Sequence, residues 1–184
     1  VYISWVQENP YGANGIGYLN LLCGIALYDA IFSLYGDFDK RMTLKWPNDL
    51  YIGPQKMAGI LLQSLDPLLE YVVIGMGINV YASAGEMPET GTSISLEKKI
   101  ARENERMKIV CALLRYFAPD EIGPYRIDRN RVLSNFWKRA RLTRETCYRY
   151  TSLQYHHEGI LHRLDENCTV EIKTPSGEVI HLSN

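Results

Sequence analysis

Apolar positions change their period several times along the chain, and each change marks an element. Val1–Trp5 alternates as a strand does, and Glu8-Asn9-Pro10-Tyr11-Gly12 interrupts it as a loop. From about Gly17 to Tyr35, Leu19, Leu22, Ala26, Leu27, Ala30, Ile31 and Leu34 recur every three or four residues. That spacing predicts an amphipathic helix ending near Gly36. Asp37–Arg41 reads as a polar turn and Met42–Trp46 as a strand that Pro47, lacking an N–H, brings to an end. Leu50–Ile52 resumes the pattern before Gly53-Pro54. Lys56–Leu65 and Glu70–Val80 follow as strands joined through Asp66-Pro67. The run Tyr71-Val72-Val73-Ile74 predicts a strand buried on both faces.

A loop with Gly85, Pro88 and Gly91 leads to Thr92-Ser93-Ile94-Ser95-Leu96, whose hydroxyls suit a helix cap before Glu97. Met107, Val110, Leu113, Leu114 and Phe117 predict one face of a helix stopped by Pro119. A second helix is expected from about Pro124 to Arg139, carrying Val132, Leu133, Phe136 and Trp137. Beyond Arg141 the pattern shortens to strands at Cys147–Tyr150, Gly159–Leu164, Thr169–Lys173 and Val179–Leu182. The expectation is an α/β (α+β) domain over 1–140 and a small barrel over 141–184.

Composition adds bounds rather than detail. The chain has 184 residues, 46% apolar and 22% charged, as an ordinary globular domain has. Residues 1–100 carry 6 basic against 10 acidic residues and residues 101–184 carry 14 against 11, so the net charge of −1 conceals a mildly basic second part. Neither value suggests a nucleic-acid partner. No uninterrupted apolar run reaches the roughly 18 residues of a membrane span. Cys23, Cys111, Cys147 and Cys168 are scattered and read as reduced thiols, which makes cytoplasmic residence the default expectation. His156, His157, His162 and His181 fit no metal-ligand spacing.

Three stretches stand out from this background. Lys45-Trp46-Pro47-Asn48-Asp49 places polar groups in a β-rich region. Lys56-Met57-Ala58-Gly59-Ile60-Leu61 follows a Gly-Pro turn, and Gly75-Met76-Gly77-Ile78-Asn79 closes an apolar strand. Alone, Lys56 reads as a solvated turn lysine, Pro-Asn-Asp as an Asx turn, and Gly-X-Gly as a bulge. In this order and spacing they resemble the catalytic core of biotin protein ligases, which reads K-W-P-N-D, K-x-A-G-I-L, G-x-G-I-N. The resemblance is strongest over residues 1–80 and rests on layout beyond them.

The resemblance implies a fold related to class II aminoacyl-tRNA synthetases, followed by an SH3-like barrel. It implies activation of biotin with ATP and Mg²⁺ to biotinoyl-AMP, then transfer to a lysine of a carboxylase's biotin carboxyl-carrier domain. Lys56 falls at the position of the lysine that neutralises the reacting carboxylate and phosphate. Asp49 falls where an aspartate holds Mg²⁺ or orients the acceptor lysine. Asn48 would help position the adenylate and Asn79 would contact the adenine. Gly59, Gly75 and Gly77 would let the backbone approach biotin, offering N–H and C=O groups to its ureido ring. Trp46 and Tyr51 read as core or pocket wall, and Lys45 as structural or anion-contacting. Arg126, Arg129 and Arg131 carry no functional reading.

The chain also departs from the pattern. The family's G-R-G-R-type loop, and the biotin-binding segment before it, do not occur in these residues, and Val1 already lies in a strand. The chain is therefore expected to be an N-terminally truncated form with impaired adenylation. Gln63 stands where many relatives have an acidic residue. The family's DNA-binding winged helix is absent too, so no DNA partner is expected. Two other readings stay open at this point: a lipoate ligase or octanoyltransferase of the same superfamily, and a non-catalytic module binding biotin or the carrier domain.

Overall fold

The structure is a computed structural model that describes residues 1–9, 11–12, 15–65, 68, 70–101, 103–117, 128–141, 147–151, 156–165 and 167–182. The Asp66-Pro67 turn, Pro119, Arg126 and the predicted helix start at 124–127 lie outside the described residues.

Five strands form the first sheet: β1 (Tyr2–Glu8), β2 (Met42–Lys45), β3 (Asp49–Ile52), β4 (Gln55–Ser64) and β5 (Tyr71–Ile78). Their order is β1-β5-β4-β3-β2, every pair antiparallel. Alternation sends Met42, Leu44, Leu50, Ile52, Ile60, Val72, Ile74, Met76 and Ile78 to one face, where all are buried. Helix α1 (Ile16–Tyr35) lies in that core, joined by the single turn α2 (Ile94–Glu97), α3 (Glu105–Tyr116) and α4 (Arg129–Ala140). Asp128 caps α4 by accepting the Arg131 N–H at 3.0 Å, and Phe136 of α4 packs into the core beside Gly24 and Leu44.

Helix α1 is long and apolar enough, by length and composition, to cross a membrane. Counting uninterrupted apolar runs passes over it because Asn20, Tyr28 and Asp29 punctuate the helix. Here it is the central core helix, with Leu19 through Leu27 buried.

Two predicted faces need correction. The Tyr71–Ile74 run is not buried on both sides: Val72 and Ile74 are fully buried while Tyr71 is half exposed, because helices cover only one face of the sheet. In α3, Leu113 enters the core as predicted, but Met107 and Leu114 are more than half exposed and Ile109 fills the core beside Leu113 instead. The buried stripe begins at Glu105, whose carboxylate takes a 2.6 Å hydrogen bond from Tyr35 Oη and 2.7 Å contact with Lys108 Nζ. A carboxylate can occupy a core stripe only with such partners.

The remaining strands are β6 (Cys147–Thr151), β7 (His156–Leu164), β8 (Val170–Lys173) and β9 (Val179–Leu182). They form an antiparallel meander in the order β6-β7-β8-β9. Among the described residues no ladder joins β6 to β9. Leu161, Val170, Ile172 and Leu182 make its own small core. Arg163 of β7 forms a two-pronged bond to the buried Glu171 of β8, at 2.8 and 2.9 Å.

Candidate functional site

The sheet face turned away from the helices carries the three sequence motifs. Directly opposed residues of an antiparallel pair share a face, and the registers run Tyr2–Gly77, Gly77–Gly59, Gly59–Asp49 and Asp49–Lys45. One row across all five strands therefore has a bare glycine floor between an aromatic ring and charged groups. The neighbouring row reads Ser4–Gly75–Leu61. Tyr2, Val6, Leu61 and Tyr71 are each more than half exposed on this face.

Strict alternation would put Lys56 and Gly59, three residues apart, on opposite faces. A register shift resolves this: Leu50 pairs with Ala58, but Tyr51 pairs with Lys56. Met57 and Ala58 are consecutive buried residues, the mark of a bulge, and the extra residue turns Lys56 back to the open face. Its Nζ then lies 2.6 Å from Asp49 Oδ1, with the two side chains 44% and 22% exposed. The pair sits over Gly59, where a Cβ would come within 3.0 Å of both Asp49 Oδ1 and Lys56 Nζ.

The two asparagines frame this pair. Asn48 donates from Nδ2 to the Ile60 carbonyl at 2.5 Å, and its own carbonyl accepts the Ile60 N–H at 3.1 Å. Asn79 donates from Nδ2 to the Thr92 carbonyl at 3.1 Å. The same loop joins Lys56, whose N–H reaches Thr90 O at 2.7 Å and whose carbonyl accepts the Thr92 N–H at 2.9 Å. Lys56 and Asn79 are thus held by one segment, which is anchored by the buried Thr92 and Ser93; Thr92 Oγ1 donates to Glu97 at 2.7 Å and Ser93 Oγ to Ala82 O at 2.7 Å. Lys45 is exposed with Nζ 5.0 Å from the Tyr51 ring centre.

The glycines act differently from expectation. Strand β5 lies between β1 and β4, and β4 lies between β5 and β3, so the ladders engage their backbones on both sides. The N–H and C=O groups of Gly59, Gly75 and Gly77 are therefore not free for a ligand ring. What these residues contribute is the missing side chain.

A bound Mg²⁺ finds little here. Among the described residues no group of three His, Cys, Asp or Glu side chains is placed to hold a metal. Asp49 is a single carboxylate already paired with an ammonium, so the described residues build no cage of their own.

Sequence reasoning missed the link between this face and the C-terminal sheet. The Trp46 indole N–H donates to the Cys168 carbonyl at 3.1 Å, and Trp46 packs against both apolar cores. The Trp46–Pro47 peptide is cis. Burial, reinforced by the nearby Asp165 carboxylate, pushes the Cys168 thiol up to about 12, which leaves it a packing group.

The glycine floor and the lysine–aspartate pair lie in a region, residues 8–79, that a model of the Biotin/lipoate A/B protein ligase family matches. The biotin–[acetyl-CoA-carboxylase] ligase of Mycobacterium tuberculosis is 35% identical over 99 residues, covering 54% of this chain and 35% of that protein. The enzyme of the same name from Paracoccus denitrificans is 28% identical over 178 residues, covering 92% of this chain and 72% of that one. The apo biotin protein ligase of Aquifex aeolicus superposes with a TM-score of 0.76 at 19% identity, over 100% of this chain and 79% of its own. In sequence and in fold the chain is similar to biotin protein ligases. It spans about a third of the first of these relatives and nearly three quarters of the second.

Proposed function

We propose that the chain works as a biotin protein ligase, with 1–140 as its catalytic domain and 141–184 as an appended one. The observation that carries this reading is the Lys56–Asp49 pair over Gly59, set between Asn48 and Asn79 on the open sheet face. The Aquifex aeolicus ligase has been solved in complex with biotin and ATP, with a TM-score of 0.65 to this chain.

In the first step a biotin carboxylate oxygen attacks the α-phosphorus of ATP. A P–O bond forms to the carboxylate, the bond to the β-phosphate oxygen breaks, and pyrophosphate leaves. Two anions meet, so a cation at that point lowers the barrier. Lys56 supplies it as a mobile ammonium. The apolar biotin chain lies on the floor of Gly59, Gly75 and Gly77, where any side chain would fill its space. Asn48 and Asn79 spend their amide N–H groups on the backbone, leaving amide oxygens to accept from the adenylate and its adenine amino group. When present, Mg²⁺ neutralises the nucleotide phosphates and arrives with them.

In the second step the carrier-domain lysine, as a free amine, attacks the mixed-anhydride carbonyl. A C–N bond forms, the C–O bond to AMP breaks, and the amine proton must be taken up. Asp49, released as Lys56 turns to the anions, orients and deprotonates that amine.

The test is biotin- and ATP-dependent pyrophosphate release and biotin transfer to a carrier domain by the full-length gene product. Turnover with biotin and not with lipoate supports the reading. Acceptor binding without adenylate formation would replace it with a binding module.

A further inference from the structure

We propose that the β7–β8 turn is a positioning element for Asn48 and Asp49, acting through the Trp46 indole. The kinetic consequence rests on the ligase reading; the structural one does not.

The turn is built to hold still. Asp165 Oδ1 accepts the N–H groups of Asn167 and Thr169 at 2.9 and 2.8 Å. Asp165 N–H donates to Thr169 O, and Cys168 N–H to Asp165 O, both at 3.0 Å. Cys168 adopts a left-handed φ of 61°, and its carbonyl accepts the Trp46 indole N–H. The turn also rests on the start of α1: a Cβ at Gly17 would meet Cys168 Cβ at 2.9 Å and Asn167 O at 3.3 Å. Residues 165 and 167–169, bonded to one another and seated on the central core helix, therefore hold the indole by its one polar atom.

Trp46 stands two residues before Asn48 and three before Asp49, between the end of β2 and the start of β3. Asn48 is tied to Ile60 on the far side. The short connection is thus pinned at both ends, by Cys168 and by Ile60, and Asp49 emerges from it into the ion pair. Apolar packing alone does not fix the near end. A cavity of about 310 Å³ lies beside it, lined by Lys45, Trp46, Leu161, Val170, Ile172 and Leu182. The indole could rock into that space, and the directional bond to Cys168 prevents it. Reacting groups displaced by even an ångström lose much of their effect, so the C-terminal sheet sets the geometry of a site whose residues it does not contain.

Three variants of the full-length gene product test this: Asp165→Ala removes both turn caps, Asp165→Asn keeps an accepting oxygen, and Trp46→Phe keeps the ring without its N–H. Amide and indole NMR resonances, thermal midpoints, and single-turnover rates of adenylation and transfer are read together. The expected result is that Asp165→Ala and Trp46→Phe move the Asn48 and Asp49 amides and slow transfer about tenfold. The Val72 and Ile74 amides stay in place, and Asp165→Asn restores the wild-type pattern. Unmoved Asn48 and Asp49 amides in Trp46→Phe would overturn the proposal, as would an Asp165→Asn protein as slow as Asp165→Ala. Should the wild type form no biotinoyl-adenylate, the ligase reading fails and the amide shifts alone decide.

Discussion

Lys56 Nζ and Asp49 Oδ1 stand 2.6 Å apart across a bulged strand pair, although the two residues belong to different motifs. Each is the other's partner in the structure. On the proposed ligase reading an incoming carboxylate or phosphate would draw the ammonium away and release Asp49 for the acceptor amine. Both groups are part-exposed, so the contact itself adds little stability, and that reading gives it a part in two successive steps.

Separating those steps is the first prediction. Lys56→Ala should cut adenylation by about two to three orders of magnitude, as loss of a preorganised charge-stabilising group does, while the thermal midpoint hardly moves. Asp49→Asn should leave pyrophosphate release within a few fold and slow transfer from preformed adenylate far more. Equal losses in both steps for both variants would show that the pair acts as one unit.

A second prediction concerns the buried carboxylate under α3. Hydrogen bonds from Lys108, then from Tyr35, hold the Glu105 carboxyl below its ordinary value near 4.5. A lowered folded value stabilises the native state above the unfolded one, and the contribution disappears as pH falls through the folded value. Tyr35→Phe removes one donor and should cost about 1–3 kcal/mol at neutral pH. Urea titrations should show the gap to wild type at full size above about pH 4.5, narrowing below it. A gap independent of pH would mean that Tyr35 contributes packing alone.

Local pattern made much of this architecture legible, and its failures share one cause. The positions of α1 and of β1 to β5 follow from apolar runs and the Gly and Pro turns between them, which sequence displays directly; the burial of α1 nearly all round, where its spacing predicts an amphipathic helix, and the one-sided burial of β5 do not. The motif residues group by their resemblance to one family's pattern, and the structure sets them on neighbouring strands of one sheet. What escaped depends on contacts far along the chain. The core face of α3 begins at Glu105, a polar residue made tolerable by Tyr35, 70 residues earlier. The indole bond to Cys168 joins residues 122 apart. The bulge at Met57 and Ala58 leaves no polar mark, yet without it Lys56 would face the core and no ion pair could form.

Core packing around α4 yields a third prediction. Phe136 is fully buried against Gly24 and Leu44, and Leu44 ends one residue before the Lys45-Trp46 segment. Phe136→Ala should cost about 3–5 kcal/mol and lower the thermal midpoint by roughly 10 °C. Biotin affinity of the folded fraction should stay near wild type, since Phe136 lies under the opposite face of the sheet.

The glycine floor gives the sharpest contrast. A methyl at Gly77 would stand 3.3 Å from the Tyr2 ring, which is 94% exposed and free to swing aside. One at Gly75 would meet Leu61 O at 3.5 Å, an ordinary contact. Alanine at either place should leave stability unchanged or raise it by about 0.5 kcal/mol, because glycine loses more chain entropy on folding. Gly59→Ala is different: its methyl would stand 3.0 Å from Asp49 Oδ1 and from Lys56 Nζ, and 3.1 Å from Lys56 Cε, so the pair must move. On the proposed reading all three variants should bind biotin at least tenfold more weakly by calorimetry, since a methyl would occupy the ligand's bed, roughly 1.4 kcal/mol of lost binding. Only Gly59→Ala should also slow adenylation at saturating biotin. Wild-type affinity in Gly75→Ala and Gly77→Ala would move the biotin site off this face, whatever Gly59→Ala does to the rate.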